Sequence, residues 1–317
     1  MSEPYVVNVS SVQDFMQCRY RWYCKWVLNR VPRHEGPALD AGKLLHTIFE
    51  ENSREGTPLQ KAAFTQSYMY QCETVNYNEP ERTTRTKALK TIHDLYEAWP
   101  LWNDIYEMTI PNLEAEEPFE IEFPECPGVI FRGRPDRVCL MEGQIWHVQN
   151  RGLAASMNFA TYIRLARRHY HEHLYAEHLA RKYADLGPYG GTLFNLVRKL
   201  KFRTNAGKKN EKVKTGPEMF WQFPMSIDLQ SQQHRDVMDS LFGHVAEMQD
   251  VQRRTRSCTF GKQWLPAPND KMNGGFNGST EDPFFKLIMR EITLDDNRYF
   301  KNREDTYAAA DVDAGTD

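Results

Sequence analysis

The stretch GRPDRVCLMEGQIWHVQNRG, residues 133–152, places two runs of strand-forming residues on either side of the pair Glu142–Gly143. A Glu-Gly pair between such runs predicts a β-hairpin. Because alternate side chains of a strand share a face, Gln149 and Arg151 should point one way and the residues between them the other way. Asp136 lies across the predicted hairpin and could meet Gln149 and Arg151.

These side chains have the chemistry that hydrolysis of a phosphodiester requires. The reaction needs a divalent cation on hard oxygen ligands, an attacking water and a positive charge near the phosphate. Asp136 offers a carboxylate, Gln149 an amide oxygen and Arg151 the cation, and a histidine from a nearby helix would complete the set. Two other interpretations stay open: Asp136 as a turn residue after Pro135, and Gln149 with Arg151 as the solvent face of an edge strand.

The sequence before this stretch is helical in pattern. In SSVQDFMQCRYRWYCKWVLNR, Ser11 and Asp14 have capping-box spacing and aromatic residues follow at helical intervals, which predicts one amphipathic helix. After a Pro and Gly break, ALDAGKLLHTIFEEN places His46 and Glu50 on one helical face. A packed or capping histidine is the ordinary alternative for His46.

The remaining pattern predicts the fold class. PFEIEF, GVIFRGRPDRVCLM and QIWHVQNR predict a three-stranded meander, and NFATYIRLARRHYHEHLYAEHLARKYADLG predicts a helix. The strands GGTLFNLVRKL and MFWQFPMSI and a helix from about 229 to 254 follow. We therefore expect an α/β fold with a mixed central sheet flanked by helices, a helical N-terminal region and a helical insertion.

Charge and composition narrow the classes of function. A net charge of −3 excludes a uniformly basic coat for nucleic acid, but the segment RKLKFRTNAGKKNEKVK, residues 198–214, carries eight Lys or Arg against one Glu. It predicts a mobile basic loop that is either a solvated excursion or a phosphate contact. The six cysteines are scattered and indicate reduced thiols, and no stretch indicates secretion or membrane insertion, so we expect a cytoplasmic protein.

Four motifs in order resemble the PD-(D/E)XK nuclease superfamily, in particular its RecB-type exonuclease branch. GKLLH supplies Gly42 and His46 where that branch has Gly-x-x-x-His, and RPD supplies Asp136. VQNR falls at the acid-x-Lys position, and HEHLY places His171 and Tyr175 where the branch has Gln-x-x-x-Tyr. The resemblance spans about residues 9–228 without the insertion, and it implies a restriction-endonuclease-like core.

The resemblance also implies roles for individual residues. His46, Asp136 and Gln149 would hold Mg or Mn, Arg151 would stabilise the charge on the phosphate, and His171 and Tyr175 would contact the DNA backbone. Further DNA contacts are expected from basic residues of the loop, namely Lys199, Lys201, Arg203, Lys208, Lys209 and Lys212.

The departures from the family pattern concern catalysis and one cofactor. Gln149 in place of an acid brings no charge, so the cation should be weakly held. Arg151 in place of lysine keeps its proton at any working pH, and its planar group is less able to orient water. Members of the branch often carry an iron-sulfur cluster on one N-terminal and three C-terminal cysteines. Cys18 fits the first, but residues 268–289 contain no cysteine, so no iron-sulfur cluster is predicted.

The resulting hypothesis is a metal-dependent DNA nuclease of exonuclease type, with weak activity. Its alternative is a catalytically inactive DNA-binding or protein-interaction module derived from a nuclease. DNA is the expected partner, with a protein partner in a replication or recombination complex as a second one, and no membrane. The expected segments are N-terminal helices in residues 1–50, a helical insertion in 51–113, a nuclease-like α/β core in 114–258, a C-terminal extension in 259–302 and a disordered acidic tail in 303–317.

Overall fold

The computed structural model describes residues 4–32, 112–115, 117–154, 158–199, 220–257 and 300–302. The helix expected around His46, most of the expected insertion, most of the basic loop and the acidic tail lie outside these residues. The chain divides into two compact units, one of residues 1–34, 118–133 and 235–317 and one of residues 35–117 and 134–234. The segment boundaries expected from the sequence stay a prediction.

The described part of the chain contains both helices and strands. The helices are α1 (Val9–Gln17), α2 (Arg19–Trp22), a π-helical turn (Tyr23–Val27), α3 (Phe159–Ala166), α4 (Tyr170–Lys182) and α5 (Gln232–Ser257). The strands are β1 (Tyr5–Asn8), β2 (Arg30–Pro32), β3 (Asn112–Ala115), β4 (Phe119–Glu122), β5 (Val129–Gly133), β6 (Arg137–Met141), β7 (Gln144–Ala154), β8 (Tyr189–Lys199), β9 (Phe220–Ser226) and β10 (Phe300–Asn302). Among the described residues, no helix is long and apolar enough to cross a membrane.

The N-terminal helix of the first unit differs from the expected one. Its cap is Asn8, whose Oδ1 accepts from Ser11 N at 2.9 Å, so the predicted capping box of Ser11 and Asp14 is wrong. The helix is also interrupted at Cys18, which has an extended backbone with φ −159° and ψ 105°. Asp14 instead accepts from Lys25 Nζ and Trp26 Nε1, both at 2.7 Å. This carboxylate therefore ties α1 to the π-helical turn.

The expected three-stranded meander is wrong, because its middle strand is two strands. β5 pairs with β4 and, in parallel, with β1 in the first unit, whereas β6 and β7 belong to a sheet of the second unit with the order β3-β6-β7-β8-β9. The chain leaves the first sheet at Arg134 and Pro135. Proline has no N–H for the ladder and restricts the residue before it, which explains the break.

The predicted hairpin is confirmed in the second unit. Glu142 and Gly143 have φ of 52° and 73°, the positive values of a two-residue type I′ turn, and β6 and β7 pair antiparallel from Met141↔Gln144 to Arg137↔Val148. Strand β7 pairs in parallel with β8, and β8 pairs antiparallel with β9. The sheet is therefore mixed. Pro224 lies in β9, which ends the described order and so tolerates a missing N–H.

One face of this sheet is covered by two helices where one was predicted. α3 ends at Ala166 and α4 begins at Tyr170, with His169 in extended conformation between them. Ile163 and Ala166 of α3 and Ala176 of α4 pack against Leu153, Phe194, Leu196 and Met225 of the sheet. The expected α/β class with a mixed sheet flanked by helices is confirmed.

A buried polar chain joins α4 to the start of α5 within the second unit. His234 Nε2 lies 2.9 Å from Glu177 Oε1, the two Nδ1 atoms of His234 and His173 lie 2.9 Å apart, and His173 Nε2 lies 3.0 Å from Arg167 O. If Glu177 is ionised, the three contacts need three protons on two imidazoles, so one ring is a cation. Burial lowers the pKa of His173.

This chain predicts that the second unit loses stability in acid. The hydrogen bond from His234 lowers the pKa of Glu177 below 4.5, so the carboxylate stabilises the fold above that pH and less as the pH falls through its folded pKa. The pKa of His173 lies below 6.5, so the unfolded state takes up this proton first and stability also falls below about pH 6.5. The nearby charge of Glu172 raises the pKa of His173, whereas His169 lowers it.

Urea unfolding between about pH 4 and 7 tests the prediction. Glu177→Gln should cost about 1–2 kcal/mol at pH 7, the value of a charge-assisted hydrogen bond, and should flatten the acid limb. Glu120→Gln is the matched control because Glu120 is an exposed carboxylate paired with Arg132 at 2.5 Å. A pH profile of Glu177→Gln parallel to that of the wild type would contradict the assignment.

Candidate functional site

Asp136, Gln149 and Arg151 are brought together at the open end of the β6–β7 hairpin. Extending the register by one residue beyond Arg137↔Val148 places Asp136 opposite Gln149. Asp136 Oδ2 accepts from the backbone N–H of Asn150 at 2.8 Å, so a side chain continues the ladder where the strand β6 has not yet begun. The carboxylate is thus fixed beside the two residues that the sequence placed on one face.

Gln149 and Arg151 interact directly. With the amide oriented to suit both groups, Gln149 Oε1 accepts from Arg151 Nε at 3.2 Å and from Nη2 at 2.6 Å. Gln149 is only 3% exposed, so it is not a solvent-facing residue of an edge strand. The guanidinium therefore already engages the oxygen that was expected to ligate a cation.

The opposite face of β7 is apolar near the turn and polar farther along the strand. Trp146 and Val148 pack with Cys139 and Leu193. Asn150 Oδ1 accepts from Asn195 Nδ2 at 3.0 Å, and Asn195 Oδ1 accepts from Gln222 Nε2 at 2.9 Å. A row of amides thus links β7, β8 and β9 behind Asp136 and steadies the backbone N–H that holds it.

Arg151 sits among groups that favour its charged form. Burial lowers its pKa, but Tyr162, Asp136, Glu172 and Tyr175 raise it, and the net shift of the pKa is upward. Burial raises the pKa of Tyr162 to about 12, and a hydrogen bond with Arg151 acts the other way. Arg151 is therefore a fixed cation that keeps its proton.

A buried acid that the sequence pattern does not predict lies behind the site. Glu172 of α4 is fully buried, accepts from Thr192 Oγ1 at 2.7 Å, and has an oxygen 3.6 Å from His147 Nδ1. Burial raises the pKa of Glu172, but His147, Thr192 and Arg151 lower it, and the net shift is downward. The sequence does indicate a polar partner on this face, because His147 precedes Gln149 by two residues and therefore shares its face.

Tyr175 and His171, expected to contact DNA, lie on α4 near these groups. The hydroxyl of Tyr175 donates to Arg134 O at 3.2 Å and accepts from Arg134 N at 3.4 Å, which anchors the segment that leads into Asp136. Its ring packs edge-on against His147. Burial, followed by the charge of Arg151, lowers the pKa of His171 to about 3, so this imidazole is neutral at ordinary pH.

The remaining expected site residues are not brought into this geometry. His46 lies outside the described residues, as do Lys201, Arg203, Lys208, Lys209 and Lys212, while Lys199 ends β8. Within the described ranges, no group of three or more His, Cys, Asp or Glu is arranged to hold a metal ion. Asp136 and Gln149 do supply hard oxygen donors of the kind Mg²⁺ and Mn²⁺ prefer, with a single negative charge between them.

The comparisons agree with a nuclease fold. The sequence matches the PD-(D/E)XK nuclease superfamily over residues 6–260, which is most of the chain. The chain belongs to the PD-(D/E)XK nuclease superfamily, and its mixed α/β sheet is consistent with the restriction-endonuclease-like core of that superfamily. Nucleases of this superfamily generally use divalent metals and act on DNA.

Similarity to individual proteins is weak. A crystal structure of a candidate exonuclease from Eubacterium rectale aligns with a TM-score of 0.46 and 12% sequence identity, covering 86% of this chain and 94% of that chain. No curated protein matches the sequence. At this level, similarity to a single structure says nothing about the activity of the chain.

Proposed function

We propose that the protein is a metal-dependent DNA nuclease that hydrolyses phosphodiester bonds from an end or on a single strand, in the manner of the RecB-type exonuclease branch. The observation that carries the proposal is the convergence of Asp136, Gln149 and Arg151 at the hairpin end. Membership of the nuclease superfamily supports it. The motif is Gln-x-Arg where the branch has acid-x-Lys.

Each residue has a defined part in the proposed reaction. Asp136 and Gln149 would hold Mg²⁺ or Mn²⁺, with His46 as a further ligand. A bound divalent cation would polarise the phosphate and lower the pKa of a nearby water. Arg151, which keeps its proton, would stabilise the charge that develops on the phosphate oxygens. His171, as a neutral donor, and Tyr175 would contact the DNA backbone.

The basic loop is proposed as the main electrostatic contact with DNA. Lys199, Lys201, Arg203, Lys208, Lys209 and Lys212 would neutralise phosphates, which contributes to affinity without reading sequence. The proposed setting is the cytoplasm, with DNA as substrate and a replication or recombination protein as a further partner.

An inactive DNA-binding module is the second candidate. One observation favours it. The Nε and Nη2 groups of Arg151 already donate to the Gln149 oxygen, so a cation would have to compete with two hydrogen bonds. Such a protein would keep a DNA-binding groove or a protein partner without turnover.

Digestion of end-labelled DNA separates the two candidates. Single-stranded and duplex DNA would be incubated with Mg²⁺, with Mn²⁺ and with EDTA. We expect slow shortening of the label in Mn²⁺, less in Mg²⁺ because Gln149 adds no charge, and none in EDTA. Binding of DNA without shortening in either metal would overturn the nuclease and favour the binding module.

A further inference from the structure

Three aromatic side chains, Phe159, Trp221 and Phe223, form a group that we call the aromatic strip. The strand register gives the rows Gln149↔Phe194↔Phe223 and Arg151↔Leu196↔Trp221 across β7, β8 and β9. Side chains at paired positions share a face. Trp221 and Phe223 therefore lie on the face of Gln149 and Arg151, two strands away, at about 10 Å.

The rings of the strip lie against one another and remain partly exposed. The Phe159 and Trp221 centroids are 5.0 Å apart at 36°, and those of Trp221 and Phe223 are 5.3 Å apart at 51°. All three rings rest on the apolar cluster that includes Phe194 and Leu196, and each is only half-buried. The strand β9 and the start of α3 thus share an aromatic surface that the described part of the chain leaves partly open.

Tyr162 connects this surface to the candidate site. Its ring packs edge-on against Phe194 with centroids 5.7 Å apart, and its hydroxyl hydrogen-bonds with Arg151. Arg151, Tyr162 and the rings of the strip are thus linked through the buried ring of Phe194 on one side of the sheet. A DNA strand whose phosphate lies at Arg151 would bring a neighbouring nucleotide toward the strip.

The charge of the two segments that carry the strip suits a polyanion. The segment FATYIRLARRH, residues 159–169, contains three arginines and no acid, and Arg164, Arg167 and Arg168 are exposed. Strand β9, with the sequence FWQFPMS, carries no acid either. An apolar protein partner would find aromatic rings here but would gain nothing from this excess of cations.

We propose that the aromatic strip binds an unpaired nucleobase of a DNA strand, which makes single-stranded DNA or a frayed end the substrate class. This inference rests on the proposed nuclease function and specifies its substrate. A flat ring face is available only on a base that is not stacked between neighbours in a duplex, and stacking on aromatic side chains tolerates any base. The strip holds the base while Arg151 faces the phosphate.

Binding of three probes to the intact protein in EDTA tests the proposal, with affinity measured by fluorescence anisotropy. The probes are a labelled oligothymidylate, an abasic strand of equal length and the corresponding duplex. We expect the abasic strand to bind about 5- to 150-fold more weakly than the oligothymidylate, the effect of one stacked base. Equal affinity for the two strands, or tighter binding of the duplex, would overturn the proposal.

Variants identify the strip as the source of the effect. Trp221→Ala should lower affinity for oligothymidylate to the abasic level and leave abasic binding unchanged, whereas Trp221→Phe should keep most of the difference. Leu165→Ala is the matched control, since Leu165 lies on the helix of Phe159 and is 51% exposed. If Trp221→Ala does not fold, Phe159→Ala takes its place. An equal loss for both strands would indicate a structural role and refute the strip.

The two proposals fail separately. Metal-dependent shortening of DNA without any preference for bases over abasic positions would remove the strip and leave the nuclease. A clear preference for bases without shortening in Mn²⁺ would remove the nuclease and leave a binder of unpaired DNA.

Discussion

Replacement of Asp136 is expected to abolish both metal binding and cleavage. Asp136 supplies the negative charge of the donor pair Asp136 and Gln149, so its loss leaves that pair without charge. Loss of several kcal/mol of transition-state stabilisation corresponds to a fall in cleavage of about 10³-fold. Both Asp136→Asn and Asp136→Ala should show this fall.

The two variants separate charge from structure. Asp136→Asn keeps an oxygen that can accept from Asn150 N, whereas Asp136→Ala leaves that N–H without its acceptor and should also cost about 1–3 kcal/mol of stability. Titration with Mn²⁺ and urea unfolding measure the two effects. Asp185→Ala, at an exposed aspartate, is the control. Wild-type affinity for Mn²⁺ in Asp136→Asn would show that the cation does not bind at Asp136.

The local geometry of the site could be predicted from sequence because a short turn fixes it. Asp136 and Gln149 are equally far along the chain from the Glu142–Gly143 turn, so a two-residue hairpin must place them opposite each other. The two-residue period of a strand then puts Arg151 beside Gln149. Each of these relations spans few residues and depends on backbone geometry alone.

The surroundings of the site could not be predicted because they come from other elements. Glu172 of α4 and Tyr162 of α3 lie close enough to Arg151 to affect its pKa. The sequence pattern of a helix does not predict which of its turns packs over which strand. Pro135 marks the break in the sequence, but the strand-forming residues on both sides of it also fit one continuous strand, although they belong to different sheets. The interruption between α3 and α4 has no Gly or Pro to mark it, and the carbonyl of Arg167 is satisfied there by His173 and Gln233.

The buried charges explain why the site tolerates an arginine. Asp136 and Glu172 are both close enough to raise the pKa of Arg151, so the guanidinium neutralises negative charge that would otherwise be costly to bury. A lysine could supply the same charge but not the fork that meets Gln149 and Tyr162. Arg151 therefore stabilises the site through its contacts. A guanidinium held by those contacts is less suited to catalysis than a lysine amine.

Exchange of the Gln-x-Arg pair for Glu-x-Lys is expected to raise cleavage. Arg151→Lys removes the fork from the Gln149 oxygen and gives an amine that can approach both water and phosphate, so cleavage should rise about tenfold, equivalent to one charged hydrogen bond. Gln149→Glu together with Arg151→Lys should raise it further, because the added carboxylate strengthens the hold on the cation. Gln149→Glu alone should gain little, since the new carboxylate would pair with Arg151.

Labelled DNA in Mn²⁺ and in Mg²⁺ gives the readout for all three variants, with Asp136→Ala as the blank. A wild type that already cuts briskly, with Arg151→Lys no faster, would make Gln-x-Arg a working variant of the motif and exclude the inactive module. If no variant cuts DNA although all of them bind DNA and Mn²⁺, residues other than Gln149 and Arg151 account for the missing cleavage activity. The fork between Arg151 and Gln149 would then be a feature of a binding protein, in which the guanidinium contributes to the fold and to contact with phosphate.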